Sequence, residues 1–273
     1  MNNLVEPPSG PMARISTAEL RKIQQAAGLR TVEHFVDLGS TNDRAMRLLA
    51  IDEVDLPALV VTDQQTAGRG RGSKSWASAP GALTFSLVLF RPLVDQPNRA
   101  GCIALTAGLA VCGGLRKSWP RLDVGMKWPN DIEVAGRKVC GILVEIPADH
   151  HRCVLGIGVN VNNAIHDADE PISRRASSLS EITGKSQPLH VVLNDIVLQT
   201  LRYMDRLDHE DPELPALWQK SCNLTGQHVR VESGSRITAG HCEGIASDGA
   251  LLVRNAEGLQ RCYSGSVHRQ NAG

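Results

Sequence analysis

Apolar and polar positions are arranged differently in the two parts of the chain. Up to about residue 222, short apolar runs typical of strands alternate with longer stretches whose apolar positions recur at helical spacing. From about residue 225, short apolar runs are separated by Ser-Gly, Asp-Gly and Glu-Gly turns. This pattern predicts a domain of strands and helices, followed across a boundary near residue 222 by a small all-β module of about five short strands with barrel-like spacing.

Local signals place the individual elements within this outline. Ser16-Thr17-Ala18-Glu19 forms a capping box, which predicts a first helix that Gly28 ends. Apolar periodicity predicts two long helices, at about residues 99–119 and 190–207, and residues 180–187 are predicted to be a linker. Strands are predicted at residues 33–38, 59–62, 83–90, 138–145 and 153–162.

Composition and charge narrow the classes of protein. Of 273 residues, 42% are hydrophobic, and 29 basic side chains balance 29 acidic ones, as in a soluble globular protein. This balance argues against general affinity for DNA or an anionic membrane, because both need a positive excess. No stretch of about 18 apolar residues predicts a membrane span, and the polar residues 1–10 do not resemble a signal peptide. We therefore expect a cytoplasmic protein.

The seven cysteines occur singly, without the closely spaced pairs of a zinc site or a redox motif. Such a dispersed, odd-numbered set is typical of reduced thiols. We expect most of them to be buried.

A glycine-rich and basic segment lies between the strands predicted at residues 59–62 and 83–90. Residues 65–76 read Gln-Thr-Ala-Gly-Arg-Gly-Arg-Gly-Ser-Lys-Ser-Trp. Alternate glycines let the backbone approach a ligand closely, and the arginines between them supply fixed charge with bidentate geometry. The segment therefore predicts a loop that binds a phosphate or a carboxylate, and a solvated basic loop without a ligand is the alternative.

Two familiar nucleotide-binding loops do not fit this segment. Ser73 stands where the P-loop pattern requires its second glycine, and the dinucleotide-binding pattern also needs glycine there. Both loops open a helix, whereas residues 83–90 have the composition of a strand.

Three further segments carry candidate site residues. Lys127-Trp128-Pro129-Asn130-Asp131 precedes a predicted hairpin with its turn at residues 135–137, and Lys138 begins the otherwise apolar return strand. A lysine in that place is unusual, although a solvated lysine at the end of a hairpin is the alternative. Ser40-Thr41-Asn42 is a polar turn for which a plain helix N-cap is the alternative. Gly156 and Gly158 mark a strand that another group approaches closely.

Taken together and in this order, these segments resemble the biotin protein ligases, also called biotin [acetyl-CoA-carboxylase] ligases. The resemblance covers about residues 16–269. It rests on the segments just described, on Gly136-Arg137-Lys138 with Gly141-Ile142-Leu143-Val144-Glu145, on Gly156-Ile157-Gly158-Val159-Asn160, and on Gly244-Ile245 with Asp248-Gly249-Ala250-Leu251-Leu252.

The resemblance implies an α+β fold in two domains after a disordered N-terminus at residues 1–13. Residues 14–222 would form a catalytic domain like that of class II aminoacyl-tRNA synthetases, with a mixed sheet flanked by helices. Residues 223–273 would form an SH3-like barrel. The implied reaction joins biotin and ATP, with Mg²⁺, to give biotinyl-5′-AMP. Biotin then passes to a lysine of the biotin carboxyl carrier protein of acetyl-CoA carboxylase.

The resemblance also assigns roles to individual residues, with no protein metal site among them. The implied catalytic residues are Lys138, Arg71, Asp131 and Lys127. The implied biotin-binding residues are Ser40, Thr41, Asn42, Gln65, Arg69, Gly70, Arg71, Lys138, Gly141 and Gly156. The implied ATP- and adenylate-binding residues are Arg69, Arg71, Lys74, Trp76, Asn130, Lys138 and Asn160.

Several points stay open at this level. Asp131 is either an anchor for Arg71 or a base for the attacking lysine, and the surrounding cations favour the anchor. Ser73 and Lys74 stand where the family usually has glycine and arginine, and lysine lacks the bidentate fork of arginine. Lipoate ligases and non-catalytic biotin-binding regulators are the rival classes. Only about thirty residues precede Thr31, so we expect no DNA-binding domain; a homodimer is one candidate assembly.

Overall fold

The computed structural model describes residues 14–50, 54–90, 98–148, 151–170 and 172–270. The disorder predicted for residues 1–13 lies outside these ranges. Two sheets organise the described chain, a seven-stranded sheet with helices and a five-stranded antiparallel sheet in the C-terminal part. This division agrees with the change of pattern near residue 222.

The larger sheet is mixed. Its strands are β1 (Thr31–Leu38), β2 (Ala58–Gln65), β3 (Leu83–Phe90), β4 (Val124–Lys127), β5 (Asp131–Val134), β6 (Arg137–Glu145) and β7 (Arg152–Val159). They lie in the order β1-β2-β3-β7-β6-β5-β4. Only β1 and β2 run parallel among these neighbouring pairs; the others are antiparallel. The five predicted strands are confirmed, although β7 ends before Asn162.

The helices and the second sheet complete the described chain. The helices are α1 (Thr17–Ala27), α2 (Thr41–Leu48), α3 (Arg99–Ser118), α4 (Ile172–Arg175), α5 (Leu179–Thr183), α6 (Leu189–Asp208) and α7 (Leu214–Ser221). The second sheet contains β8 (His228–Ser233), β9 (Arg236–Ile245), β10 (Leu251–Asn255), β11 (Gly258–Cys262) and β12 (Ser266–Arg269). The capping box at Ser16 and Glu19 and the C-terminal Gly28 of α1 are confirmed. The linker predicted at residues 180–187 is wrong in its first part, which belongs to α5.

Helices cover both faces of the larger sheet. α3 and α6 pack together over one face, where the side chains of Phe85, Leu87 and Ile157 are buried. α2 packs on the opposite face over Val60 and Val88. The sheet is therefore held between two apolar layers, which makes it a rigid support for groups placed beside α2.

One described helix, α3, is long and apolar enough to cross a membrane by length and composition alone. In the folded protein, 67% of its most apolar window is buried. Its small residues permit close packing: a Cβ atom at Gly114 would lie 3.1 Å from the backbone nitrogen of Ile196 on α6. α3 is the central helix of the core. All seven cysteines are buried and free, as expected for the most part.

The C-terminal sheet is tied to the larger one by polar contacts. Arg269 on β12 binds Glu133 on β5 with both terminal nitrogens, one of them at 2.9 Å. The indole N–H of Trp128 donates to the carbonyl of Gly249 at 3.0 Å. Glu133 is only 3% exposed, and Lys127 lies 3.8 Å away as a second cation. The buried charge of Glu133 therefore depends on a residue of the other sheet.

Replacing this arginine should weaken the fold. Arg269→Ala leaves the buried carboxylate with Lys127 alone, and breaking a buried pair by removing one partner typically costs about 3–5 kcal/mol. Arg254→Ala is the matched control, because the Arg254–Glu243 pair is exposed to solvent and should contribute much less to stability than the buried pair. Urea unfolding measures both losses. Equal losses for the two variants would show that Glu133 does not depend on Arg269.

Glu181 holds the segment that follows β7. Its carboxylate accepts hydrogen bonds from the backbone of Ile165 and His166, the imidazole of His166 and the hydroxyl of Ser177. Burial alone would raise the pKa of Glu181, but these bonds, with one from Ser178, lower the pKa to about 2. The ionised form of Glu181 is therefore stabilised by the fold.

A carboxyl group whose pKa is lowered on folding stabilises the protein above its unfolded pKa, and this contribution is lost as the pH falls. For Glu181 the loss should run from about pH 5 to about pH 2. Glu181→Gln should therefore be less stable than the wild type above pH 5, and the gap should narrow on acidification. Denaturant unfolding at several pH values checks this; a gap independent of pH would contradict it.

Candidate active site

A pocket lies on the face of the larger sheet that α2 covers, next to the apolar cluster where α2 packs over Val60 and Val88. Its floor is one face of three neighbouring strands, because side chains alternate and the strands pair in register. The paired floor positions across β3, β7 and β6 are Thr84–Gly158–Gly141 and Ser86–Gly156–Leu143. Glu145 follows on the same face of β6.

Three glycines keep this floor open. A Cβ atom at Gly156 would lie 2.2 Å from the amide oxygen of Asn42, and one at Gly158 would lie 2.3 Å from the indole of Trp76. At Gly141 the nearest atoms, the Lys138 ammonium and the Trp76 ring, would be 3.2 and 3.3 Å away. The groups above the floor therefore rest directly on the backbone, as predicted for Gly156 and Gly158.

A β-bulge brings Lys138 into the pocket. Between β5 and β6, Ile132 pairs with Cys140 but Glu133 pairs with Lys138, so Val139 is an extra residue. In a regular strand, residues three apart face opposite sides. The bulge shifts this alternation, and Lys138 and Gly141 both line the pocket. The ammonium of Lys138 then lies 2.7 Å from a carboxylate oxygen of Asp131.

The glycine-rich loop folds over the pocket as a small hairpin. The N–H of Trp76 donates to the carbonyl of Gly68 at 2.9 Å, and the N–H of Gly70 donates to Lys74 at 2.7 Å. Gly72 has a φ of 62°, whereas Ser73 is outside the positive-φ region. Serine at position 73 is therefore compatible with the backbone of this loop. Strands precede and follow the loop, which confirms that it is not a P-loop.

The first turn of α2 supplies a buried polar end of the pocket. Ser40 is the N-cap of α2, which was the alternative interpretation of this polar turn. Its side chain accepts a hydrogen bond from the N–H of Asp43. Thr41 donates its N–H and hydroxyl to the side-chain oxygen of Gln65 at 2.8 and 3.1 Å. Ser86, which is fully buried, donates to the amide oxygen of Asn42 at 2.6 Å. We call Ser40, Thr41, Asn42, Gln65 and Ser86 the polar end.

The opposite part of the pocket is cationic. It is lined by Arg69, Arg71, Lys74, Lys127 and Lys138, and among its described lining residues Asp131 is the single carboxylate. Burial lowers the pKa of Arg71, against the opposing charge of Asp131. Burial likewise lowers the pKa of Lys127, and the charge of Glu133 opposes that effect. An anion in the pocket would offset the cost of holding these buried cations.

The C-terminal sheet contributes one wall. Gly265, Ser266 and Val267 line the pocket beside the loop. Arg71 donates to the side-chain oxygen of Asn130 at 3.1 Å and lies 3.5 Å from the carbonyl of Gly265. Lys74 donates to the hydroxyl of Ser266 at 3.1 Å. The loop is thus placed by contacts on both domains.

The structure brings together all but one of the residues that the sequence singled out. Asn160 does not line the pocket; it is buried, and its side-chain oxygen accepts from Asn163 at 3.1 Å within the turn after β7. Asp131 also differs from expectation, because it pairs with Lys138 and not with Arg71.

Sequence reasoning missed several site residues. Ser75, Thr84 and Ser86 were not assigned roles, and neither were Glu145 or residues 265–267. Thr84 and Ser86 could have been found, because they are polar residues at alternate positions of an otherwise apolar strand. Residues 265–267 give no such signal, since their position depends on how the two sheets pack.

The chain matches known proteins over most of its length. Residues 36–162 match the Biotin/lipoate A/B protein ligase family, and residues 224–268 match the Biotin protein ligase C terminal domain. The bifunctional ligase/repressor BirA of Bacillus subtilis is 31% identical over 264 residues, which cover 93% of this chain and 79% of that protein. The biotin--[acetyl-CoA-carboxylase] ligase of Mycobacterium tuberculosis is 30% identical over 236 residues, 85% of this chain and 86% of that protein.

A solved structure agrees with these sequence matches. The biotin protein ligase from Aquifex aeolicus, determined in complex with biotin and ATP, superposes with a TM-score of 0.78 at 27% identity. The match covers 89% of this chain and 100% of that one. Identity of this level over both domains, together with the shared fold, shows that the chain belongs to the biotin protein ligase family.

Proposed function

We propose that this protein activates biotin with MgATP to biotinyl-5′-AMP and transfers biotin to a lysine of the biotin carboxyl carrier protein of acetyl-CoA carboxylase. The observation that carries the proposal is a pocket with a buried polar end, a glycine floor and a cationic end. The names of the relatives and the biotin and ATP of the Aquifex aeolicus structure support the same assignment.

The polar end suits the ureido ring of biotin. This ring presents both donors and an acceptor, and the polar end offers amide and hydroxyl groups of both kinds in Thr41, Asn42 and Gln65. The apolar part of the bicycle would lie on the backbone at Gly141 and Gly156, where no side chain intrudes. The carboxylate of biotin would then point toward the cationic end.

The cationic end suits the first half-reaction. An oxygen of the biotin carboxylate attacks the α-phosphorus of ATP, the bond to the β-phosphate oxygen breaks, and pyrophosphate leaves. The two reactants repel each other, so preorganised cations in a pocket shielded from water lower the barrier. Lys138 and Arg71 hold the carboxylate and the reacting phosphate, and Lys127 and Lys74 neutralise the departing phosphates.

Mg²⁺ reaches the site as part of its substrate, MgATP. Among the described residues no group of three or more His, Cys, Asp or Glu could hold a metal ion. The side-chain oxygens of Asp131 and Asn130 do lie in the pocket. One or two protein oxygens suffice when phosphates supply the other ligands, so these residues fit a nucleotide-bound Mg²⁺.

In the second half-reaction, the amine of the carrier lysine attacks the carbonyl carbon of the mixed anhydride. An amide bond forms, the bond between the carbonyl carbon and the phosphate oxygen breaks, AMP leaves, and the proton of the amine passes to water. Asp131 is placed 2.7 Å from the ammonium of Lys138. Because this carboxylate is engaged by Lys138, Asp131 acts as an anchor for Lys138 and not as the proton acceptor.

We also propose the finer description of the two domains. Residues 14–222 form the catalytic domain, of the class II aminoacyl-tRNA synthetase type; its mixed sheet with helices on both faces supports this. Residues 223–273 form an SH3-like domain, which the five short antiparallel strands in the order β11-β10-β9-β8-β12 support.

Exchange of radiolabelled pyrophosphate into ATP tests the first half-reaction. We expect exchange with purified protein and Mg²⁺ that depends on biotin, because the adenylate must form reversibly from it. Reactions with lipoate and without any acid are the comparisons. Exchange with lipoate alone would assign the protein to the lipoate ligases, and no exchange with either acid would leave a non-catalytic binding protein. Transfer of biotin to the carrier protein is then measured in a separate experiment.

Lys138→Gln should lower the rate of adenylate formation by about 10²–10³-fold, the usual cost of removing one group that stabilises charge in the transition state. Lys185→Gln, at an exposed lysine outside the pocket, is the matched control and should keep wild-type exchange. Circular dichroism checks that both variants fold. Wild-type exchange in Lys138→Gln would remove this residue from the reaction.

A further inference from the structure

Glu145 has no role in the reaction as described, yet it contacts both the loop and the polar end. Its carboxylate accepts hydrogen bonds from both terminal nitrogens of Arg69, with nitrogen–oxygen distances of 2.9 and 2.7 Å. One of the same oxygens also accepts from the side-chain nitrogen of Asn42 at 2.7 Å. The side chain of Glu145 is 26% exposed, whereas Asn42 is 3% exposed. A carboxylate at the pocket edge is thus bound to a buried amide.

The contact with Glu145 fixes which way the Asn42 amide points. An ionised carboxylate can only accept hydrogen bonds, so the nitrogen of Asn42 must face it. The amide oxygen then faces Ser86, whose hydroxyl donates to it at 2.6 Å. The reversed amide would place its oxygen 2.7 Å from the carboxylate, which is an unfavourable contact in a buried site. It would also turn its N–H₂ group toward Ser86, whose hydroxyl would then have to accept instead of donating.

The order of donors and acceptors extends one step further. Ser86 has a single hydroxyl hydrogen, and it lies 2.8 Å from the hydroxyl of Thr41 as well as 2.6 Å from Asn42. The hydroxyl of Thr41 donates its own hydrogen to Gln65, so the hydrogen of Ser86 is shared between the oxygens of Asn42 and Thr41. Gln65 is oriented separately, because its oxygen accepts the backbone N–H of Thr41. Within the polar end, the influence of Glu145 therefore reaches Asn42, Ser86 and the contact of Ser86 with Thr41.

We infer that Glu145 is a positioning residue that sets the orientation of the Asn42 amide, and thereby the affinity of the polar end for the ring of biotin. The inference rests on the proposed function for the identity of the ligand. Glu145 does not touch the reacting atoms; it acts through Asn42. A neutral amide at position 145 has both a donor and an acceptor, so it no longer selects one orientation of Asn42. Only the long contact of the Asn42 nitrogen with the carbonyl of Leu143, at 3.5 Å, would still favour the wild-type orientation.

Glu145→Gln should raise the dissociation constant and the KM for biotin by about 10–100-fold, the usual effect of losing a hydrogen bond to a charged group. The kcat at saturating biotin and the KM for ATP should stay within about threefold, since Lys138, Arg71, Lys127 and Lys74 do not contact Glu145. Calorimetric titration with biotin and pyrophosphate exchange measure these quantities.

Asp43→Asn is the matched control. Asp43 is the other carboxylate partner of Arg69, at 2.7 Å, and its carboxylate does not hydrogen-bond to Asn42. If Glu145 acts through Asn42, Asp43→Asn should leave the affinity for biotin within about threefold of the wild type. An equal loss in both variants would show that release of Arg69 is responsible, and would overturn the inference.

A double-mutant cycle with Ser86→Ala separates positioning from general damage. Glu145 and Ser86 lie two strands apart in the sheet and both bind Asn42, at its opposite ends. Residues that act on one shared group give non-additive effects. We expect the loss of biotin affinity in the double variant to be smaller than the sum of the single losses. Strict additivity would contradict a shared action on Asn42.

A measurement without ligand keeps this inference separate from the proposed function. The side-chain N–H₂ signals of Asn42, recorded by NMR in the free protein, should show slow hydrogen exchange in the wild type and faster exchange in Glu145→Gln. Unchanged signals would overturn the positioning role even if biotin binds. Altered signals together with a wild type that does not bind biotin would instead count against the proposed function alone.

Discussion

The backbone itself forms the floor of the pocket, because atoms of Asn42 and Trp76 lie where Cβ atoms at Gly156 and Gly158 would be. This steric limit decides what the rest of the structure must provide. A floor without side chains cannot be adjusted by a change of rotamer, so its position depends on the sheet. The apolar layers of α3 and α6 on one face, and of α2 on the other, hold the strands in place.

The cationic end has an energetic cost that the fold carries in the absence of ligands. Arg71 and Lys127 are partly desolvated, and both have pKa values lowered chiefly by burial. Asp131 lies beside Lys138 and Glu133 lies beside Lys127, so each carboxylate neutralises part of this positive charge. Glu133 does so while it is itself buried. Such an arrangement stabilises a bound polyphosphate more than it stabilises the empty protein, which is typical of sites selected for function.

How much the sequence could predict depends on how local each interaction is. The capping box of α1, the glycine-rich loop and five strands of the larger sheet depend on neighbouring residues, and these were predicted; the short strand β4 was not. The capping box at Ser178 and Glu181 was equally local but was overlooked, so part of α5 was taken for a linker. Local patterns therefore suffice for most elements.

Long-range partners could not be predicted in the same way. The sequence pattern predicted that Asp131 lies near cations. Which cation it pairs with depends on the β-bulge at Val139, which brings Lys138 to it. Asn160 belongs to the correct sequence segment and yet faces a turn, since β7 ends one residue earlier. The contact of Lys74 with Ser266 depends on the packing of two domains, which no local pattern records.

That wall from the C-terminal sheet also has a consequence for synthesis of the protein. Gly265 and Ser266 are translated long after Trp76, with β3 to β7 of the larger sheet between them in the chain. A nascent chain that has emerged only as far as α7 carries the floor and the loop but lacks one side of the pocket. Its Glu133 has Lys127 as a cation but not Arg269. A reactive mixed anhydride can be enclosed only by a chain that the ribosome has extended beyond residue 267.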